Sequence, residues 1–67
     1  MCLSTVYELG EGQTPRKLCE HVCTVSVSGD RLVFTDIIGV EVEFAGLIKN
    51  IDLTRNTINV SRCEQRQ

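Results

Sequence analysis

Residues 40–46 read VEVEFAG, and the alternation in this stretch sets the fold class. Apolar side chains occupy every second position from Val40 to Phe44, and Glu41 and Glu43 fall between them. A period of two is typical of a β-strand with one face against a core and the other in water. We therefore predict a half-buried strand, and we expect the glycine that ends the stretch to bend the backbone at a barrel corner.

Short apolar–polar alternation recurs on both sides of this stretch. Glycine, proline and asparagine, which favour turns, separate the alternating segments. The predicted strands cover residues 2–9, 22–28, 31–37, 40–44, 49–53 and 57–60. Five or six short strands joined by close turns indicate an all-β fold, a small antiparallel barrel or half-barrel.

The chain has 67 residues, of which 42% are apolar, and this is enough for one small core. A domain of this size buries only about 60% of the surface that its unfolded chain exposes. We expect residues 1–60 to form a single barrel domain and residues 61–67 to form a polar C-terminal tail. Small cores are often supplemented by oligomerisation, and a homodimer would serve this purpose.

Charge and aromatic content disfavour nucleic-acid binding. The net charge is −2, and the seven basic residues are scattered along the chain. Binding to phosphates draws on clustered lysine and arginine, and single-strand binders stack bases on several aromatic rings. The aromatic residues here are Tyr7, Phe34 and Phe44.

The sequence contains no recognisable targeting or membrane-spanning segment. Polar residues such as Ser4, Glu8 and Glu11 interrupt the N-terminus, which therefore lacks the apolar stretch of a signal peptide. No apolar run approaches the roughly 18 residues that a membrane helix requires. We expect a cytoplasmic protein whose four cysteines are reduced, because disulfides are rare in that compartment.

The N-terminus carries the strongest chemical signal, because Met1 is followed by Cys2. If Met1 is retained, its amine, the Cys2 amide nitrogen and the Cys2 thiolate can form two fused five-membered chelate rings. If Met1 is removed, Cys2 supplies both amine and thiolate, and a dimer offers two such pairs. Nitrogen and sulfur donors in a four-coordinate site suit nickel or copper. The alternative is that Cys2 acts as a small buried hydrophobe at the start of a strand.

A second candidate metal site consists of Cys19, His21 and Cys23. On a regular strand these side chains share a face, but Cys19 and Cys23 are then roughly 13 Å apart. That separation is too large for one ion held by bonds of about 2.0–2.3 Å. A bulge, or a helical turn capped at Thr14-Pro15, would bring the donors closer. Without one, we expect Cys23 in the core and His21 on the surface.

The acidic residues suggest no catalytic site. Asp36 and Asp52 lie near strand ends, where carboxylates most often accept hydrogen bonds from nearby backbone amides. Glu41 and Glu43 share a solvated strand face. One histidine in a strand-rich chain supports neither a serine nor a cysteine triad, and the glycines form no phosphate-binding motif. We therefore do not expect an enzyme.

Three segments resemble the CooT family of small nickel-binding proteins: MCLSTVY at residues 1–7, LVFTDIIGVEVEFAGLIKNIDL at 32–53 and TRNTINV at 54–60. The resemblance implies an SH3-like barrel, a homodimer, and Ni(II) bound through Cys2, with the Met1 amine if that residue is retained. It also implies a metallochaperone-like role in the maturation of carbon-monoxide dehydrogenase. The segment from Cys19 to Cys23 departs from the family pattern, so the resemblance assigns it no nickel.

Two alternatives remain open at the level of the sequence. The family is also labelled as predicted RNA-binding, which would mean a small-barrel protein whose RNA affinity falls with salt. A protein-interaction module would add a partner strand at an exposed barrel edge, with Cys2 only structural. The sequence leaves unspecified the fate of Met1, the metal in the cell, the recipient enzyme and the role of Cys63.

Overall fold

The computed structural model describes residues 3–10 and 12–62, and all of its regular secondary structure is β-strand. The strands, numbered in chain order, are β1 (Ser4–Glu8), β2 (Arg16–Ser28), β3 (Arg31–Asp36), β4 (Glu41–Asp52) and β5 (Thr57–Arg62). This confirms the predicted all-β class. The described residues contain no helix that could cross a membrane.

The strands close into a barrel in chain order. Consecutive strands are antiparallel, whereas β1 and β5 close the barrel as a parallel pair, from Thr5–Thr57 to Glu8–Val60. The predicted small barrel is confirmed, but its closing pair is not antiparallel. With five strands, each reversed relative to the one before, the first and the last point the same way.

The fourth strand changes partner halfway along its length. The sequence predicts two strands here, at 40–44 and 49–53, but β4 is continuous. It pairs with β3 as far as Ala45 and with β5 from Gly46 onward. A Cβ atom at Gly46 would overlap the Ser61 carbonyl oxygen and lie 2.5 Å from the Phe44 ring. Glycine at this point lets β4 approach β5 closely, at the position where the sequence predicts a corner.

The second strand is longer than predicted, because it begins at Arg16 rather than at Val22. Ser4 pairs with Val22 and Val6 with Cys19, so β2 carries an extra residue between these pairs. His21 lies in this bulge with a φ angle of 62°, a left-handed conformation that is uncommon outside glycine. The bulge breaks the period of two, which is why alternation does not reveal the first half of the strand.

All five strands contribute to one core. Its buried side chains are Val6, Val22, Leu32, Phe34, Phe44, Ile58 and Val60. Leu18, Cys19, Val25 and Ile48 pack against them and are partly buried. Each fully buried apolar side chain of this size contributes about 1.5–3 kcal/mol relative to exposure.

The last strand extends to Arg62, two residues beyond the predicted boundary at residue 60. The remainder of the predicted polar tail, residues 63–67, lies outside the described residues. The division into one domain and a tail therefore stays a prediction.

Candidate metal centre

The predicted nickel ligands, Met1 and Cys2, lie outside the described residues. They are followed by Leu3 and then by Ser4, which pairs with Val22 of β2. Chain connectivity therefore fixes the place at which the N-terminal residues join the barrel.

Two turns flank this junction. The Thr5 amide donates to the carbonyl oxygen of Asn56 over 2.9 Å, which holds the β4–β5 turn beside the start of β1. The Ile37 amide donates to the carbonyl oxygen of His21 over 3.0 Å, which holds the β3–β4 turn beside the bulge in β2. The N-terminal segment thus enters the barrel between two turns, at what we call the N-terminal end.

An aspartate stabilises each of these turns. The Asp36 carboxylate accepts from the amides of Ile38 and Val40 at 3.0 and 2.9 Å. The Asp52 carboxylate accepts from the Thr54 hydroxyl at 2.6 Å and from the Thr54 amide at 3.0 Å. These hydrogen bonds hold the pKa of Asp52 below its usual range, and the bond from the Thr54 hydroxyl has the largest effect. The structural roles predicted for both aspartates are confirmed.

Exposed apolar side chains surround the N-terminal end. They lie in the two turns and in the adjacent end of β4, and they are between 49% and 81% exposed. We call this set the apolar rim: Ile37, Ile38, Val40, Ile51 and Leu53. Clustered exposed hydrophobic residues usually mark an interaction surface. The sequence contains a signal that would have found part of this set, because the apolar residues Ile37, Ile38 and Val40 surround the break between two predicted strands.

The second candidate metal site is not assembled in the structure. Among the described residues no three His, Cys, Asp or Glu side chains are placed to hold a metal ion. The strand is bulged, but the bulge does not gather the three candidates into such a group. His21 is exposed, as predicted.

The two cysteines of this candidate site lie in different surroundings, and that of Cys23 is not the one predicted. Cys23 is exposed, and its Sγ atom lies 3.5 Å from the carbonyl oxygens of Thr35 and Asp36. The predicted core position is therefore wrong, because a register shift between Val22 and Thr24 turns Cys23 outward. Cys19 packs against the core instead. Burial raises the pKa of its thiol, and the negative charge of Asp36 raises that pKa further.

Comparisons with known proteins cover most of the chain. The family model described as CO dehydrogenase accessory protein CooT matches residues 1–61. An uncharacterized protein of Methanocaldococcus jannaschii is 38% identical over 58 residues, which cover 87% of this chain and 93% of that protein.

A solved structure has the same fold. A crystal structure of a protein assigned as CooT from Carboxydothermus hydrogenoformans superposes with a TM-score of 0.84, covering 94% of this chain and all of the other. The two sequences are 19% identical. At that identity the structural similarity supports the barrel fold alone, and membership of the family rests on the match to the family model.

Proposed function

We propose, since the chain belongs to the CooT family of CO dehydrogenase accessory proteins, that it binds Ni(II) at its N-terminus and passes the ion to a maturing nickel enzyme. The family is one of accessory proteins rather than of catalysts. The proposal adds the metal, its ligands and a homodimer to that assignment. It also places the protein in the cytoplasm.

The chemistry of the first two residues supports the proposal. The Cys2 thiolate offers sulfur, and the terminal amine, with the Cys2 amide if Met1 is retained, offers nitrogen. This donor set suits a four-coordinate nickel ion. No competing group of three donors exists among residues 3–10 and 12–62. Because the thiol and the amine must lose protons to bind, nickel affinity should weaken as the pH falls.

The apolar rim supports the homodimer. Its side chains surround the end of the barrel at which β1 begins. Burying this rim against a second copy would remove apolar area from water, which is favourable by roughly 25 cal/mol per Å². The same contact would bring two N-termini together, so that each could contribute to one metal ion.

The charge distribution argues against the RNA-binding alternative. Among the described residues, several cationic side chains face a carboxylate within 4 Å: Arg16, Lys17, Arg31, Arg55 and Arg62. Paired cations contribute less to displacing counterions from a phosphate backbone than an unpaired basic stripe does.

Native mass spectrometry with a nickel titration under reducing conditions tests the proposal. It reports the oligomeric state, the presence of Met1 and the number of bound ions together. We expect one nickel ion per dimer in the wild type and none in Cys2→Ser, with the dimer and the fold retained. A titration at lower pH should show weaker binding.

Cys23→Ser is the matched control, because it removes an exposed thiol at the same end of the barrel. It should bind nickel as the wild type does. Nickel that persists in Cys2→Ser but disappears in Cys23→Ser would move the site to β2. A wild-type protein that binds no nickel would leave a protein-interaction module as the better description.

A further inference from the structure

A cluster of charged side chains lies at the end of β1 that is away from Ser4. Glu8, the last residue of β1, accepts hydrogen bonds from Arg16 of β2 and from Arg62 of β5. The shortest contacts are 3.2 Å from Arg16 Nη2 to Oε1 and 3.3 Å from Arg62 Nε to Oε2. Arg62 is also held over the Phe44 ring, 4.9 Å from its centroid.

The three charges do not balance. Two guanidinium groups share one carboxylate, so the cluster has a charge of 2 − 1 = +1 in a chain whose net charge is −2. Each guanidinium has five N–H donors, and Glu8 uses only part of them. The Glu8 side chain is 18% exposed, whereas those of Arg16 and Arg62 are 71% and 56% exposed. The remaining donors therefore face solvent.

These donors border a concave site. A cavity of about 240 Å³ opens beside them. Its described lining residues are Glu8, Gly10, Gln13, Thr14, Arg16 and Arg62. The lining is polar, and Glu8 is the one carboxylate among these described residues.

We propose that this cavity binds a phosphate group, either free inorganic phosphate or a phosphate monoester, between Arg16 and Arg62. Planar guanidinium groups bind such oxyanions through paired N–H donors, and charge-assisted bonds of this kind are the stronger ones in proteins. Glu8 positions both arginines and also competes with the ligand for their donors. The site is separate from the N-terminus, so it does not depend on nickel.

The test is a titration with inorganic phosphate followed by ¹H–¹⁵N NMR, against sodium chloride at equal ionic strength. We expect saturable shifts at the amides of Gly10, Gln13 and Thr14. Arg16→Gln should weaken binding about tenfold, the effect of losing one charged hydrogen-bonding partner. Glu8→Gln should tighten binding, because it removes the competing charge.

Controls separate this site from general attraction of anions. Arg31→Gln removes an arginine from another exposed pair, with Glu43 at 3.4 Å, and should leave binding unchanged, as should Cys2→Ser. If Glu8→Gln loses its dispersed spectrum, Arg62→Gln takes its place and should bind weakly, as Arg16→Gln does. Methyl phosphate is the second probe: tighter binding than inorganic phosphate assigns the site to monoesters, and weaker binding assigns it to the free ion.

Three results would overturn the assignment. The first is shifts that grow linearly without saturation. The second is equal binding by wild type, Arg16→Gln and Arg62→Gln. The third is weaker binding by a folded Glu8→Gln variant, which would show that the carboxylate does not compete with the ligand.

Discussion

The two long strands, β2 and β4, make the same change of partner by different means. β4 leaves β3 for β5 at Gly46, where the backbone of β5 is so close that no side chain fits. β2 leaves β1 for β3 around Val22, after a bulge in which His21 takes a left-handed conformation. One corner is made by close packing, and the other by backbone irregularity at the surface.

The difference indicates which corner tolerates change. A packed corner transmits any added volume to its neighbours, because protein interiors have little empty space. A bulged and exposed corner can accept other side chains, provided that the backbone keeps its conformation. Two exposed residues with reactive side chains, His21 and Cys23, lie at the tolerant corner.

Among the variants that test this comparison, Gly46→Ala should have the largest effect on the free energy of unfolding. The added methyl group would collide with the Ser61 carbonyl and the Phe44 ring, and β4 and β5 would have to separate. We expect a loss of about 3 kcal/mol in the free energy of unfolding, at the upper end for overpacking. Urea denaturation at fixed protein concentration measures it.

Gly39→Ala is the control for the Gly46 variant. Gly39 has a φ angle of 95°, and a Cβ atom there would meet nothing within 4 Å. Its substitution carries only the cost of a left-handed backbone, about 1–2 kcal/mol. If the two variants were equally stable, close packing would not define the β4 corner.

Asp36→Ala tests what supports the β2 corner. It removes the acceptor for two backbone amides in the turn that bonds to His21. We expect a loss of about 1–2 kcal/mol, as for the removal of an aspartate cap. Asp36→Asn keeps one acceptor oxygen and should lose less; a larger loss for asparagine would contradict the assigned hydrogen bonds.

His21→Gly should stabilise the protein by about 0.5–1 kcal/mol, because glycine adopts a left-handed conformation without the penalty of a side chain. Asn56→Gly is the matched control, since Asn56 has a φ angle of 55° and asparagine already tolerates this region. Its gain should be smaller. A destabilised His21→Gly variant would mean that the imidazole itself stabilises the corner.

The smallest effect that we expect is a loss of folding stability at alkaline pH, caused by Cys19 at the β2 corner. Burial raises the pKa of the Cys19 thiol above its ordinary value of 9.0, and the negative charge of Asp36 raises this pKa further. The folded chain therefore holds this proton more tightly than the unfolded chain does. The associated stability is complete below pH 9.0 and is lost as the pH rises through the folded pKa.

Urea midpoints measured between pH 7 and pH 11 in metal-free, reducing buffer would detect this loss. Cys19→Ala should flatten the alkaline decline. Cys23→Ala keeps Cys19 and should retain the decline. An identical decline in both variants would assign it to another group.

The sequence predicted the elements that obey a strict period. The alternation around Glu41 and Glu43 predicted the first half of β4, and Asn56, in a segment between two predicted strands, adopts the left-handed conformation that asparagine tolerates in turns. The bulged first half of β2 was missed, since an extra residue shifts inward and outward positions. The same irregularity explains why Cys23 was wrongly placed in the core.

Of the two candidate binding sites, the sequence reveals one and does not reveal the other. The donor chemistry of Cys2 is visible in the sequence because its partner donor is the adjacent amine. The cluster of Glu8, Arg16 and Arg62 is not, because its members come from three strands and Glu8 and Arg62 are 54 residues apart. The antiparallel β1–β2 pair places Arg16 beside Glu8, and the parallel closure of the barrel adds Arg62.

That closure also sets an order of events during synthesis. The first strand acquires its second neighbour only when Thr57 to Val60 can pair with Thr5 to Glu8, after nearly the whole barrel has left the ribosome. Contacts between such distant parts of a chain slow folding, because the loop must close before they form. A nascent N-terminus that captured metal would hold it without the barrel beside it. The proposed dimer site needs two finished barrels side by side, so under that proposal nickel is acquired after translation.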